Sequence, residues 1–327
     1  MSPSMPKQES LDVDTAVYLS LDQMPARLNR ELSIAISDHA YLPRVDDSTS
    51  DWVAHVATPA FKLVRQRRSG PVASFCSIGT GAGLDVLAAI ETMEVTRVGL
   101  TDLHPDVVDM AVKNIAKNVR SDHPLVVQAG YGDLLTPLQP FRSRYDVIYE
   151  NLPNVPLSDA DQIGLARTSS TCLAPREESI PELIVRQMLD LHYLALVQAQ
   201  GYLSDGGSVL SILGARVPLE ILLTLGKLAG YKSSFLTYTW KVQADPYEIA
   251  ALHAQKQQQG FGPFHFYLAD VLREAFRSVN IGTSSERALE LERLLLPERL
   301  DAVAAYAAMK RGSTIGHTVA VLESKRE

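Results

Sequence analysis

Residues 72–83 read VASFCSIGTGAG, and VGLTD follows at residues 98–102. A short apolar run enters a turn carrying Gly79, Gly81 and Gly83, and the helical pattern LDVLAAIETM starts directly after it. The second apolar run ends in an acid, Asp102. Strand, glycine turn, helix, strand is the sequence form of a unit that binds a nucleoside-bearing cofactor at the carboxyl ends of parallel strands. Glycine serves there because the backbone must turn tightly and approach its ligand closely. Asp102 is placed to accept hydrogen bonds from both ribose hydroxyls.

The spacing then discriminates among nucleoside cofactors. A dinucleotide site needs G-x-G-x-x-G or A, so that a helix N-terminus can meet a pyrophosphate. Counted from Gly79, the third-glycine place is taken by Leu84, and Asp85 in the first helical turn would repel a pyrophosphate. S-adenosylmethionine (SAM) carries no phosphate but a sulfonium and an ammonium group, and a glycine turn beside a carboxylate suits it. SAM is the expected cofactor, with Gly79, Thr80, Gly81 and Gly83 facing its methionine part.

Later segments extend the pattern. QAGYGDL at residues 128–134 follows the apolar run 125–127 as a third strand would, which puts Asp133 within reach of an adenine amino group. YDVIYENLP at residues 145–153 reads as a fourth strand ending in a polar–Pro turn. With these in order, the chain resembles the class I SAM-dependent methyltransferases from about residue 72 to 214, together with its final strand. Its turn Glu150-Asn151-Leu152-Pro153-Asn154 is similar to the Asn-Pro-Pro-Tyr turn of the amino-methyltransferase branch, known from release-factor glutamine methyltransferases and adenine-specific DNA methyltransferases.

The resemblance implies an α/β fold: a Rossmann-like, seven-stranded, mainly parallel sheet of the class I methyltransferase type with one antiparallel strand. It implies Leu103 against the adenine, and Asn151 as the side-chain acceptor that, with the Leu152 carbonyl, aims the target nitrogen at the methyl group. Such a reaction is an in-line displacement, catalysed mainly by positioning and desolvation. Pro153 matches the second proline of the turn. Leu152 departs from the first, which bears on stiffness but leaves the carbonyl in place. Asn154 replaces the aromatic that would stack on a planar amide or base, which argues against adenine and weakens a release-factor glutamine as substrate. Glu150 reads two ways, as an acid at the pocket mouth that holds a cationic substrate or acts as a base, or as a strand-end acid in water.

Bulk properties narrow the partners. The chain has 327 residues, 46% hydrophobic and 21% charged, within the range of ordinary globular proteins. A net charge of −7 and a pI near 5.7 count against nucleic acid, whose affinity comes largely from Lys and Arg neutralising phosphates. Only two cysteines occur, Cys76 and Cys172, so no disulfide framework is expected. The start, MSPSMPKQES, lacks a basic segment followed by an apolar run, and no apolar run approaches 18 residues. A cytoplasmic protein without membrane contact is expected.

Residues 1–10 read as a polar tail, and helical patterns follow at 21–37 and 50–67, the second opening on Ser50 as N-cap. Expected strands lie at residues 72–78, 97–101, 125–128, 146–150, 208–213, 234–240 and 318–323, alternating with helices at 84–94, 105–119, 181–203 and 219–229. This gives an N-terminal helical cap, residues 1–70, and a methyltransferase domain, residues 71–327, with inserts at about 155–180 and 244–311. No histidine pair has His-x-x-x-His spacing, so no metal site is expected. His317 opens the last strand and His265 lies in the Gly- and aromatic-rich QQQGFGPFHFY, residues 257–267, so both are candidate substrate contacts. The expected activity is SAM-dependent N-methylation of a small, polar, amino-acid-like or guanidino metabolite. A protein glutamine methyltransferase and a carbon or oxygen methyltransferase acting on a small keto acid are the alternatives.

Overall fold

The computed structural model describes residues 10–47, 49–156, 172–173 and 176–326. In chain order its elements begin with β1 (Ser10–Asp14), α1 (Thr15–Tyr18), β2 (Glu31–Ala35), α2 (Thr58–Arg67), β3 (Ser74–Ile78), α3 (Leu84–Met93), β4 (Arg97–Asp102), α4 (Pro105–Asn118), β5 (Val126–Tyr131) and β6 (Tyr145–Glu150). After the two-residue strands β7 (Val155–Pro156) and β8 (Cys172–Leu173) come α5 (Glu182–Arg186), α6 (Asp190–Ala199), β9 (Leu203–Gly214), α7 (Leu219–Leu228) and β10 (Tyr231–Val242). The chain ends with α8 (Pro246–Gln258), β11 (Tyr267–Leu268), α9 (Ala269–Ala275), α10 (Ala288–Leu295), α11 (Ala302–Lys310) and β12 (Ile315–Arg326).

The central sheet runs β10-β12-β9-β6-β3-β4-β5. From β9 to β5 every neighbouring pair is parallel, and β12 is antiparallel to both β9 and β10. This is the seven-stranded, mainly parallel, Rossmann-like sheet of the class I methyltransferase type. The two-residue β11 pairs with Ile315 and Gly316 at the start of β12, beyond the residues that pair with β9. All seven expected strands are present, several of them longer than the alternation suggested: β9 starts at Leu203 and β10 at Tyr231.

Period-2 alternation divides the sheet between two cores. Phe75, Val147, Leu210, Ile212, Val319 and Val321 face one layer, with α2, α3 and α4. Cys76, Ile148, Val209, Leu213, Ala320 and Leu322 face the other, with α6, α7 and the C-terminal helices. Both faces are covered, which is why β3 (SFCSI) is buried at every position and reads as an uninterrupted run.

Three local expectations change. Residues 21–37 are not a helix: they contain β2, antiparallel to β1, and Leu32, Ile34 and Ile36 are buried alternately, the period of a strand. The outer edge of β2 is met by side chains of α4. Asn118 Oδ1 accepts from Ser33 N (2.8 Å) and Asn114 Oδ1 from Ala35 N (2.9 Å), while their amide groups donate back to the Ser33 and Ala35 carbonyls. Glu91 of α3 accepts from the backbone N–H groups of Ala26, Arg27 and Leu28. Second, a π-helical segment, Val53–Ala57, leads into α2, and the side chain that accepts from its first N–H groups, Val53 N and Ala54 N, is that of Asp51, not Ser50. Third, the helix expected at 181–203 is two helices, α5 and α6, broken where Met188 takes a φ of 54°. Most of the insert expected at 155–180 (residues 157–171 and 174–175) lies outside the described residues, as do residues 1–9. The insert at 244–311 is helical, comprising α8 to α11. Among the described residues, no helix is long and apolar enough to cross a membrane.

Candidate active site

The carboxyl ends of β4, β3, β6 and β9 lie side by side, about 4.8 Å from strand to strand. One cleft of about 390 Å³ opens over them, within the size range of small-molecule sites. Of the residues singled out from the sequence, Gly79, Thr80, Gly81, Asp102, Leu103, Asp133, Asn151, Leu152, Pro153 and Asn154 all line it.

The cofactor half is built by the β3–α3 turn and the end of β4. Gly79 N and Thr80 N donate to the Thr101 carbonyl, at 2.9 and 3.0 Å, which ties the turn to the neighbouring strand. Gly79, Gly81 and Gly83 have φ of 70°, 53° and 82°, a left-handed path on which side chains are strained. A Cβ on Gly81 would meet nothing within 4 Å, whereas one on Gly83 would lie against Ala111 of α4. Gly83 therefore serves helix packing and does not line the cleft. Asp85 is buried beneath the turn, where it accepts from Ser77 Oγ, Thr80 Oγ1 (3.1 Å) and Val86 N (2.8 Å), and burial pushes its carboxyl up to about 6. It braces the turn and also belongs to the cleft lining.

Asp102 accepts from Gly81 N (3.2 Å) and, at 3.4 Å, from His104 N. Burial raises its pKa, and a carboxylate offers about four lone-pair sites, so two remain. Leu103, next to it, is 59% exposed although it lines a cleft. An acid with spare acceptors, an uncovered apolar side chain and an open glycine turn fit an adenosyl group with a methionine tail. Asp133 is more occupied: Arg176 grips both of its oxygens and Gln198 Nε2 donates at 3.1 Å, so one acceptor position is left.

The acceptor half lies past β6 and β9. Asn151 follows Glu150, which pairs in register with Ile78 of β3, so the asparagine turn and the glycine turn close adjacent strands over one cleft. Glu150 is not at the pocket mouth. It is fully buried; its Oε2 accepts from Leu152 N (3.3 Å) and lies 2.8 Å from His192 Nδ1, while Oε1 has no partner. It ends a central strand, and α6 covers it.

Neither candidate histidine lines the cleft, although His317 packs directly behind Trp52 and Gly214 of its wall. His265 is buried against Arg299, whose Nη1 lies 3.1 Å from its Nε2, and its backbone N–H donates to the Arg216 carbonyl. His317 is fully buried, with Nδ1 2.9 Å from the Thr318 carbonyl and its ring 5.9 Å from Trp52. Both are buried, which their sequence positions did not reveal.

Other residues complete the cleft without having been singled out: Asp51 and Trp52 before α2, Arg216 just past β9, Gln243 at the end of β10, and Ile249 and His253 of α8. Arg216 carried a usable sign, a charge two residues beyond the final glycine of an apolar strand, where ligands of this fold bind. On the opposite rim, His39 and His104 stack with ring centroids 4.4 Å apart, and His39 Nδ1 lies 3.0 Å from Asp106 Oδ2. The ligand atoms of these three lie within 4.8 Å of one another, a grouping that spacing could not reveal because His39 comes from the N-terminal segment.

No protein-family model matches the chain, and no curated protein matches it. Solved structures similar to it include a ribosomal protein L11 methylase from Lactobacillus delbrueckii subsp. bulgaricus (TM-score 0.37, 13% identity, 55% of this chain and 71% of the other). A methyltransferase from Pyrococcus furiosus is similar at TM-score 0.37 and 15% identity, over 56% of this chain and 77% of the other. A cyclopropane synthase from Mycobacterium tuberculosis gives 0.40 and 14%, over 88% and 90%.

Proposed function

We propose that this protein is a SAM-dependent methyltransferase that methylates a nitrogen of a small, polar, amino-acid-like or guanidino metabolite. One observation carries the reading: the glycine turn ending β3 and Asn151 ending β6 close adjacent parallel strands over a single cleft. Asp102 and Leu103 would hold the adenosine part, Asp133 the adenine amino group through its remaining acceptor position, and the Gly79–Gly83 turn the methionine part. When bound, SAM supplies an electrophilic methyl group.

The chain's own contribution is geometric. Asn151 Oδ1 and the Leu152 carbonyl accept hydrogen bonds from the acceptor's N–H groups and so fix the direction of its lone pair, as an in-line displacement requires. Glu150 Oε2 accepts the Leu152 N–H and so ties down the turn where the first proline is missing. A small acceptor is supported by the wall that Ala244, Asp245, Ile249 and His253 of the insert build over the far end of the cleft. The net charge of −7 also disfavours nucleic acid.

The test is calorimetric titration with SAM, followed by a mass-spectrometric screen of amino acids and guanidino compounds for SAM-dependent methylation. Saturable SAM binding and a mass gain of one methyl on a member of the panel are expected. A protein that does not bind SAM would end this reading.

A further inference from the structure

Arg216 is a buried cation that lies over the Phe266 ring, 5.7 Å from its centroid, and has no acidic partner among the described residues. It is 7% exposed, lines the cleft, and its Nη2 donates to Gln243 Oε1 at 2.7 Å. Its Nε has no partner, and no carboxylate among the described residues pairs with it. The acids that share its end of the cleft are engaged elsewhere. Asp51 accepts from Tyr18 Oη, Arg44 N, Val53 N and Ala54 N, and Asp245 pairs with Arg44 at 3.0 Å. An ion taken out of water without a counter-charge costs several kcal/mol. Burial accordingly draws the guanidinium pKa down to about 9, which still leaves it charged near neutral pH. The fold also makes room for it: a Cβ on Gly214 would collide with Arg216 Nη1.

Beside it on the cleft wall lies His253, 1% exposed. Its Nδ1 is 2.8 Å from the Ile249 carbonyl, an acceptor only, so Nδ1 carries the proton. Burial and the nearby Arg216 push its pKa down to about 3, so the ring is neutral and Nε2 is a bare acceptor, buried and without a partner. One unpaired cationic donor and one unpaired neutral acceptor thus meet at the same end of the cleft, two strands beyond the glycine turn and on the far side of Asn151 from Asp102.

We infer that Arg216 and His253 form the recognition subsite for the methyl acceptor, with Arg216 binding a carboxylate of that acceptor and His253 Nε2 accepting from a hydroxyl or amino N–H next to it. The acceptor is therefore an acid, an amino- or hydroxy-carboxylate whose target nitrogen reaches back to Asn151. Esters, amides and decarboxylated amines are disfavoured, because they leave the guanidinium buried and unpaired. This assignment rests on the methyltransferase reading and goes beyond it by fixing the charge of the substrate.

The experiment uses the full chain saturated with S-adenosylhomocysteine, titrated calorimetrically with L-glutamine, L-arginine and guanidinoacetate, each against its carboxamide. At least one acid should bind, and a charge-assisted contact predicts roughly 10- to 100-fold preference over the matching amide. Arg216→Gln should abolish that preference while leaving S-adenosylhomocysteine affinity within about twofold, taken as below the ~1.4 kcal/mol of a tenfold change. Three results overturn the subsite: no acid binds, acid and amide bind alike in the wild type, or Arg216→Gln weakens S-adenosylhomocysteine as much as it weakens the acid. The last would give the guanidinium to the cofactor. If Arg216→Gln does not fold, the acid–amide comparison on the wild type decides alone. Failure of S-adenosylhomocysteine itself to bind would instead remove the methyltransferase reading, a distinct result.

Discussion

The two halves of the cleft are built in different ways. On the cofactor side the acids are held by the protein's own donors: Asp85 accepts three hydrogen bonds, and Asp133 is gripped by Arg176 and Gln198, while Thr101 Oγ1 and His104 Nε2 are buried without partners. On the acceptor side, Arg216, His253 and Glu150 each keep a buried polar atom without a partner. Buried polar groups normally find partners, so such atoms on the wall of a cleft are places where a ligand can supply them. The cofactor half holds its acids in place with the chain's own donors, and the acceptor half keeps a buried cation for which the chain supplies no carboxylate among the described residues.

Substitutions can test that contrast. The largest effect is expected at Asn151, on the boundary between the halves. Asn151→Ala should lower turnover by about 100-fold or more, the usual scale for losing one positioning contact, with SAM affinity little changed in a parallel titration. An equal loss of SAM affinity would move Asn151 into the cofactor half. Asp102→Ala should do the reverse, weakening SAM roughly 10- to 100-fold through lost charge-assisted hydrogen bonds. Unchanged SAM affinity would show that the ribose contact lies elsewhere.

Asp85 tests the bracing through pH. Its carboxyl titrates at about 6 in the folded protein against an ordinary value of 3.8. The folded state therefore holds the proton longer, so this contribution is fully present below about pH 4 and is lost as pH rises through 6. Relative to Asp85→Asn, the wild type should lose on the order of 2–3 kcal/mol of denaturant stability between pH 4 and pH 7. A difference that stays flat with pH would mean that the carboxyl is not held protonated by burial. The smallest effect belongs outside both halves. Asn118→Ala removes the partner of Ser33 N and should cost about 1–3 kcal/mol of stability, with SAM affinity and turnover unchanged.

The same contrast explains what was legible in the chain. Most of the cofactor half comes from one continuous stretch, Ile78 to Leu103, with Asp133 added just past β5, and these residues could be read from type and spacing, whereas the Arg176 and Gln198 that hold Asp133 could not. Arg216, Gln243 and His253 join Asn151 only after β9, β10 and α8 fold over it, and no spacing encodes that meeting. The sequence marks His265 by a Gly- and aromatic-rich stretch and His317 by a strand start, and neither feature shows that both side chains are buried outside the cleft lining. Residues 21–37 failed as a helix because most partners of that backbone are not local. They include the side chains of Glu91, Asn114 and Asn118, and alternation at Leu32, Ile34 and Ile36 was the only sign of a strand.

Those asparagines have a consequence for the order of assembly. The hairpin of β1 and β2 gets its second row of hydrogen bonds from amide side chains 79 and 85 residues away, so it has little to gain by forming before α4 is docked. Closing so long a loop is entropically costly until the helix is anchored. The amides of Ser33 and Ala35 should therefore be protected from hydrogen exchange no better than α4 itself, and the N-terminal hairpin should be among the last pieces to lock in.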